Sequence, residues 1–182
     1  IDLLPNGFVG GTDSLSGVTS TYIYIAIRRG PMKTPTDATK VLHLNTRTGT
    51  GADLTTTGIG FPQDLAIIAN RNIAGDWKAW FDRLRGDENY LLSQDTSAEG
   101  GANSGIGYEF GNATGTAFLD HNNRVNRATY TYIDYFFRRA PGFFDVVAYT
   151  GTGLVRTLNH NLGVAPELLI IKQRNISNQW TV

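Results

Sequence analysis

Seven carboxylates, Asp82, Asp87, Glu88, Asp95, Glu99, Glu109 and Asp120, fall in one stretch of the chain. Glycoside hydrolysis is the chemistry such a set would serve, because glycosidases hold two carboxyl groups at a defined separation across the scissile bond. Spacing along the chain selects no pair, and solvated loop carboxylates account for all seven. Asp120-His121-Asn122-Asn123 is rich in oxygen donors, but it lacks the alternate-ligand spacing and closing carboxylate of a calcium loop and reads as a turn. His43, His121 and His160 stand in unrelated contexts and form no ligand set; His43 shares a strand face with Val41. The chain has no cysteine, so disulfides, thiolate metal sites and cysteine nucleophiles are excluded. Serine nucleophile elbows and dinucleotide fingerprints are missing as well. Two T-G-T-G stretches lack the lysine and following helix of a phosphate cradle; their glycines supply the positive φ of tight turns. No catalytic residue, metal site or cofactor is expected.

Binding chemistry has better candidates. Arg71-Asn72 stands five residues before Trp77, and Arg174-Asn175 five residues before Trp180. A guanidinium and an amide beside an aromatic plate could take a sugar or a carboxylate. The same residues could instead hold a hairpin, the Arg stacking on the Trp and bonding loop carbonyls. Their recurrence favours the framework reading for Arg71, Asn72, Trp77, Arg174, Asn175 and Trp180. Trp80 has no counterpart and is the best ligand candidate of the three tryptophans, since an amphipathic ring suits sugar stacking.

That recurrence is part of a longer repeat. T-G-T-G at Thr48 and Thr150 is followed each time by a polar turn, a Gly and a Pro, an apolar run (Leu65-Ala66-Ile67-Ile68, then Leu168-Leu169-Ile170-Ile171), Arg-Asn and Trp. Residues 7–31 and 117–141 also align without a gap, Phe8 on Phe118, Thr19 on Thr129, Thr21-Tyr22-Ile23 on Thr131-Tyr132-Ile133, and Arg28-Arg29-x-Pro31 on Arg138-Arg139-x-Pro141. The expected organisation is the C-terminal part of one repeat at 1–32, a linker or loop insertion at 33–39, one complete repeat at 40–141 and the N-terminal part of another at 142–182. The chain reads as a window on a tandem array.

These residues must be positioned by strands. Ile23, Ile25 and Ile27 alternate with Tyr22, Tyr24 and Ala26, the period of a half-buried strand. Tyr130 to Phe137 is its aromatic partner. Val41, His43 and Asn45 alternate with Leu42 and Leu44, while Leu65 to Ala69 and Leu168 to Ile171 are continuous apolar runs of the kind buried on both faces. Trp77 to Asp82 follows a short loop and predicts a hairpin with the strand before it. The 21 glycines punctuate the chain too often for long helices. The predicted fold is all-β: antiparallel β-sandwich units in tandem, with few or no long helices.

Hydrophobic residues at 41% and charged residues at 18% exclude a disordered chain. Sixteen basic and sixteen acidic side chains give zero formal charge, which argues against a nucleic-acid surface driven by counterion release. No apolar run reaches the roughly eighteen residues of a membrane helix, so no membrane insertion is expected.

The combination F-F-D-V-V-A-Y-T-G-T-G from Phe143, H-N-L-G-V-A-P-E-L-L-I-I-K-Q-R-N from His160 and the closing Trp180 resembles a repeat domain of tailed-bacteriophage virion proteins. Thr131 to Val147 is similar to the junction where one such repeat ends and the next begins. The first unit departs from the pattern, with Gly58-Ile59-Gly60-Phe61-Pro62 in place of H-x-L-G-x-x-P. The resemblance implies a structural component of the virion, a tail fibre or appendage engaged in host adsorption, assembled in the host cytoplasm and acting outside the cell. It implies other copies of the chain, as a homotrimer fed by the aromatic strand Tyr130 to Phe137, and other virion proteins as partners, with a host-surface glycan as a further one. The alternatives are a carbohydrate-binding module or polysaccharide depolymerase, and a head or collar decoration protein.

Overall fold

Each apolar run named above forms a strand, and every strand pairing among the described residues is antiparallel. The computed structural model describes residues 2–4, 7–9, 21–27, 35–101, 107–111, 117–119 and 124–182. The strands in chain order are β1 (Asp2–Leu4), β2 (Gly7–Val9), β3 (Thr21–Ile27), β4 (Leu42–Thr48), β5 (Leu54–Thr56), β6 (Leu65–Asn70), β7 (Lys78–Asp82) and β8 (Tyr90–Leu92). They continue as β9 (Tyr108–Phe110), β10 (Ala117–Leu119), β11 (Thr131–Phe137), β12 (Phe144–Thr150), β13 (Thr157–Asn159), β14 (Leu168–Gln173) and β15 (Trp180–Thr181). A single 3-10 turn, Ala38–Lys40, is the helical content of the described residues. The fold is all-β.

Two compact units are present. One is contiguous, Thr39–Asp95 with Glu99–Arg138; the other is split, Ile1–Ala38 and Arg139–Val182 with the short segment Thr96–Ala98. The contiguous unit has a five-stranded sheet in the order β4-β11-β6-β7-β8 and a three-stranded sheet β5-β10-β9. The faces of these sheets enclose its core. Ala66 and Ile68 of β6, Ala79 and Phe81 of β7, Tyr90 and Leu92 of β8 and Tyr132 and Phe136 of β11 meet Tyr108 of β9, with Leu54 and Phe110 packed alongside. This is the sandwich arrangement, in which alternate residues of each strand interdigitate between layers.

The split unit repeats that scheme with strands from both ends of the chain. Its main sheet runs β12-β3-β14-β15 and its smaller sheet β1-β2-β13. Register matches pair by pair: Thr150 faces Thr21 as Thr48 faces Thr131, and Gln173 faces Tyr22 as Asn70 faces Tyr132. In the smaller sheets Val9 faces Thr157 as Leu119 faces Leu54, and Leu4 faces Gly7 as Phe110 faces Ala117. Each strand from β1 to β3 and from β12 to β15 thus has a counterpart in the contiguous unit. Leu158, Leu162, Leu169 and Ile171 form the buried cluster of this second sandwich.

One detail differs from the sequence reading, and a second was not visible in it. The apolar runs of β6 and β14 are buried unequally, with Ala66, Ile68, Leu169 and Ile171 buried and Ile67 and Ile170 only half-buried, because a single face of each sheet meets its partner layer. Strand β4 inverts the usual pattern. Its Leu44 is 51% exposed, while Asn45 and Arg47 reach a carboxylate on β11.

Burial sets the expected cost of truncation. Phe136, fully enclosed in the middle of β11, should lose about 3–5 kcal/mol as Phe136→Ala, whereas Leu44→Ala should stay within about 0.5 kcal/mol. Urea unfolding of the two variants measures both, and near-equal midpoints would contradict the assigned facing of the strands.

Candidate functional site

One polar network of the contiguous unit lies at the end of its larger sheet where β4 ends in T-G-T-G and β11 begins. Asp134 on β11 is 0% exposed. It accepts from Arg47 through Nε to Oδ2 at 2.7 Å and Nη2 to Oδ1 at 3.2 Å, and from Asn45 Nδ2 at 3.5 Å. Arg47 also donates to Asn126 Oδ1 at 2.9 Å and to the Val125 carbonyl at 2.6 Å, and its guanidinium lies 4.7 Å from the Tyr132 ring centroid. Burial raises the Asp134 pKa above the ordinary range, with Arg47 pulling against it. Tyr108, also fully buried, is pushed well above its usual value first by burial and then by the Asp134 charge.

Asn126 ties this network to the turn. It donates to Thr50 Oγ1 at 2.9 Å and to the Ala52 carbonyl at 2.6 Å, while its Oδ1 accepts from the Thr50 N–H at 3.1 Å. Gly49 donates to the Tyr130 carbonyl at 2.7 Å, and a Cβ there would overlap the Arg127 carbonyl oxygen. Close approach, with no positive φ, therefore requires the glycine at Gly49. Gly51 and Gly153 do adopt φ of 70° and 74°. Thr129 has φ of 70°, an uncommon conformation for a β-branched residue; its N–H donates to the Gly49 carbonyl at 3.2 Å.

The repeat residues cluster at the same end. Asn72 Oδ1 accepts from the Thr131 N–H at 2.9 Å and the Arg71 N–H donates to the Thr131 carbonyl at 2.8 Å, so the Arg71-Asn72 backbone and amide hold the start of β11. The side chains of Arg71 and Asn72 are exposed. Asn70 caps the turn, its Oδ1 accepting from the Asn72 and Ile73 N–H groups at 3.1 and 2.8 Å. The guanidinium stacked on Trp77 belongs to Arg124, at 3.7 Å from the ring centroid. The expected Arg71–Trp77 stacking is thus corrected: Arg71 spends its backbone on Thr131, and a neighbouring loop supplies the cation.

Trp180 also moves. It faces Lys172 on β14, whereas Ala69, the equivalent of Lys172, faces Lys78. By pairing, Trp180 corresponds to Lys78, one position along from Trp77, because the turn from β14 to β15 is one residue shorter. Arg174 is half-buried and Asn175 exposed. Asn175 Oδ1 accepts from Gln173 Nε2 at 3.4 Å.

Trp80 lies in β7 opposite Ile67 and Leu91. It is half-buried, and its carbonyl accepts from Arg85 Nη2 at 2.8 Å. Of the seven carboxylates, Asp82 and Glu99 meet at Arg85, Asp82 through Nε and Glu99 through Nη1 at 3.4 Å. Asp82 is 0% exposed, and its carboxyl is spent on holding Arg85. Asp87 Oδ1 is occupied by the Phe110 N–H at 2.8 Å. Asp120 and His121 lie outside the described residues, and no group of three potential metal ligands occurs among those described. His43 is half-buried beside Phe136, ring centroids 6.1 Å apart.

His160 is a structural turn residue of the split unit. Its Nδ1 accepts from the Leu162 N–H at 3.2 Å, and burial lowers its pKa, with the Asp145 charge opposing. Asp145 itself accepts from Arg139 Nε at 2.6 Å and from the Asn161 N–H at 2.7 Å.

The aromatic strand expected to feed an interface is used in part within its own unit. Tyr132 and Phe136 are 0% exposed within their own unit, leaving Tyr130, Tyr135 and Phe137 half-buried. The Arg47–Asp134–Asn126 network and the Asp82–Arg85 pair were not singled out in the sequence. The available signal was an Asp in the middle of an aromatic strand.

Two measurements follow. Arg47→Met strands a buried carboxylate and should cost about 3–5 kcal/mol in urea unfolding; the double change Arg47→Met with Asp134→Leu should be clearly more stable than the single one, and equal stability would contradict the pairing. For His160 the folded pKa lies below the ordinary value near 6.5, so the unfolded chain takes up the proton first. Its contribution is complete above that value and lost as pH falls through the window below it. His160→Asn, which keeps an acceptor for the turn, should flatten the thermal-stability profile of the split unit below about pH 6.5; an unchanged slope would contradict the burial of the ring.

A search of curated proteins and a search of solved structures each return no match. A family profile described as a domain of unknown function, DUF7483, matches residues 37–182, a stretch that takes in the whole contiguous unit and β12 to β15. The chain belongs to that family.

Proposed function

We propose that this protein is a structural component of a bacteriophage virion, a tail fibre or similar appendage whose units extend the particle and bring exposed loops to the host surface. The doubled strand scheme is the observation that carries this reading, since one sandwich plan is used twice with its polar groups spent on turns and inter-strand ties. Repetition of weak contacts raises avidity through effective concentration without a strong single site. Its partners are other copies of the chain, as a homotrimer, and other virion proteins, and the protein acts outside the cell after assembly in the host cytoplasm. A head or collar decoration protein is the alternative structural role.

One observation favours a glycan-binding reading as a second function. Trp77 lies under the exposed Arg124, and Arg127 lies 4.5 Å from the Tyr130 ring centroid, so two aromatic faces and two cations share one end of the contiguous unit. A polysaccharide depolymerase would add release of reducing ends, abolished by Glu109→Gln or Asp120→Asn.

Sedimentation equilibrium on the chain should give a trimer, three times 19.9 kDa, and gold-labelled antibody should decorate tail appendages of intact particles. A compact monomer at all concentrations, with label on no part of any particle, would sink the reading.

A further inference from the structure

The split unit has its central strand supplied from far away in the sequence. Strand β3 bonds β12 on one side and β14 on the other, and without it both would present unpaired N–H and C=O groups at the middle of the sheet. The contiguous unit needs nothing from that segment: Phe137 of its β11 pairs directly with Leu42 of its β4, so it closes on itself. Strands β1 to β3 are thus strand donors and β12 to β15 strand acceptors, joined through an independently closed unit.

We propose that the β1–β3 segment of one chain completes the split unit of a second copy of the chain. Three features support this partner. Strand order and register around β3 match those around β11, so the acceptor is built for a segment of this sequence pattern. Recognition is by main-chain hydrogen bonds along a whole strand, as in strand-addition complexes. Exchange also breaks no contact that it does not remake, the condition under which domain swapping is inexpensive. Closure within one chain wins in dilute solution, because covalent connection holds donor and acceptor at an effective concentration on the order of a millimolar. Chains that fold at comparable local concentration exchange their segments and join head to tail.

The chain has no cysteine, so introduced pairs report the partner directly. Ile25 and Val146 face each other across β3 and β12, and Tyr135 and Leu44 are the corresponding pair across β11 and β4. The 182-residue chain carrying Ile25→Cys/Val146→Cys should give single-chain disulfides when refolded at micromolar concentration and covalent multiples of 19.9 kDa as refolding approaches a millimolar. Tyr135→Cys/Leu44→Cys should stay within one chain throughout. As a second arm, equal amounts of Ile25→Cys and Val146→Cys single variants refolded together should form a mixed covalent dimer. Trimerisation by surface packing alone would yield no such dimer. Its absence in the mixture, with only single-chain disulfides in the double variant at every concentration, would overturn the proposal.

Discussion

Both units depend on one strand that bonds on both sides. In the contiguous unit β11 joins β4 to β6, and in the split unit β3 joins β12 to β14. A strand in that position satisfies its neighbours' backbone groups as well as its own, and removing it leaves two buried edges. The core follows from its placement. Tyr132 and Phe136 can be enclosed because β11 lies inside the sheet, and the T-G-T-G turn is held because the start of β11 passes beside it, with Gly49 bonding Tyr130.

The same strand carries the main difference between the units. Register places Tyr24 where the contiguous unit has Asp134, and Tyr149 where it has Arg47. The buried ion pair of the contiguous unit is thus replaced in the sequence by tyrosines at the same ladder positions of the split unit. A buried pair gains little over a well-packed apolar substitute, yet losing one partner is costly. Its presence is better understood as a lock on geometry: Arg47 reaches Asp134, Asn126 and the Val125 carbonyl at once, and Asn126 in turn holds the Thr50–Ala52 turn.

Much of the framework was legible because it rests on local chemistry. Short apolar runs bounded by Gly and Pro became strands, T-G-T-G became tight turns, and the repeat located the strands that correspond. Pairing was harder to read. Trp77 and Trp180 stand equally far from their Arg-Asn pairs, but a turn shorter by one residue moves Trp180 along the ladder, since register is set by both strands together. Along β4 the alternation did not say which face is inward: Leu44 is exposed, while Asn45 and Arg47 serve a buried carboxylate. The union of the chain's two ends in one sheet follows from hydrogen bonding between segments that no local pattern connects. Arg124, the cation on Trp77, was invisible for the same reason.

Membership in a family described only as a domain of unknown function leaves the strand scheme as the firmest guide to what the protein does. Its central claim is that β3 holds the middle of the split unit as β11 holds the middle of the contiguous one. Amide hydrogen exchange on the full chain tests this most directly. Residues 22–26 should exchange slowly, together with β12 and β14 and in parallel with residues 132–136 of β11. Free exchange across β3, β12 and β14 beside a protected β11 would contradict it.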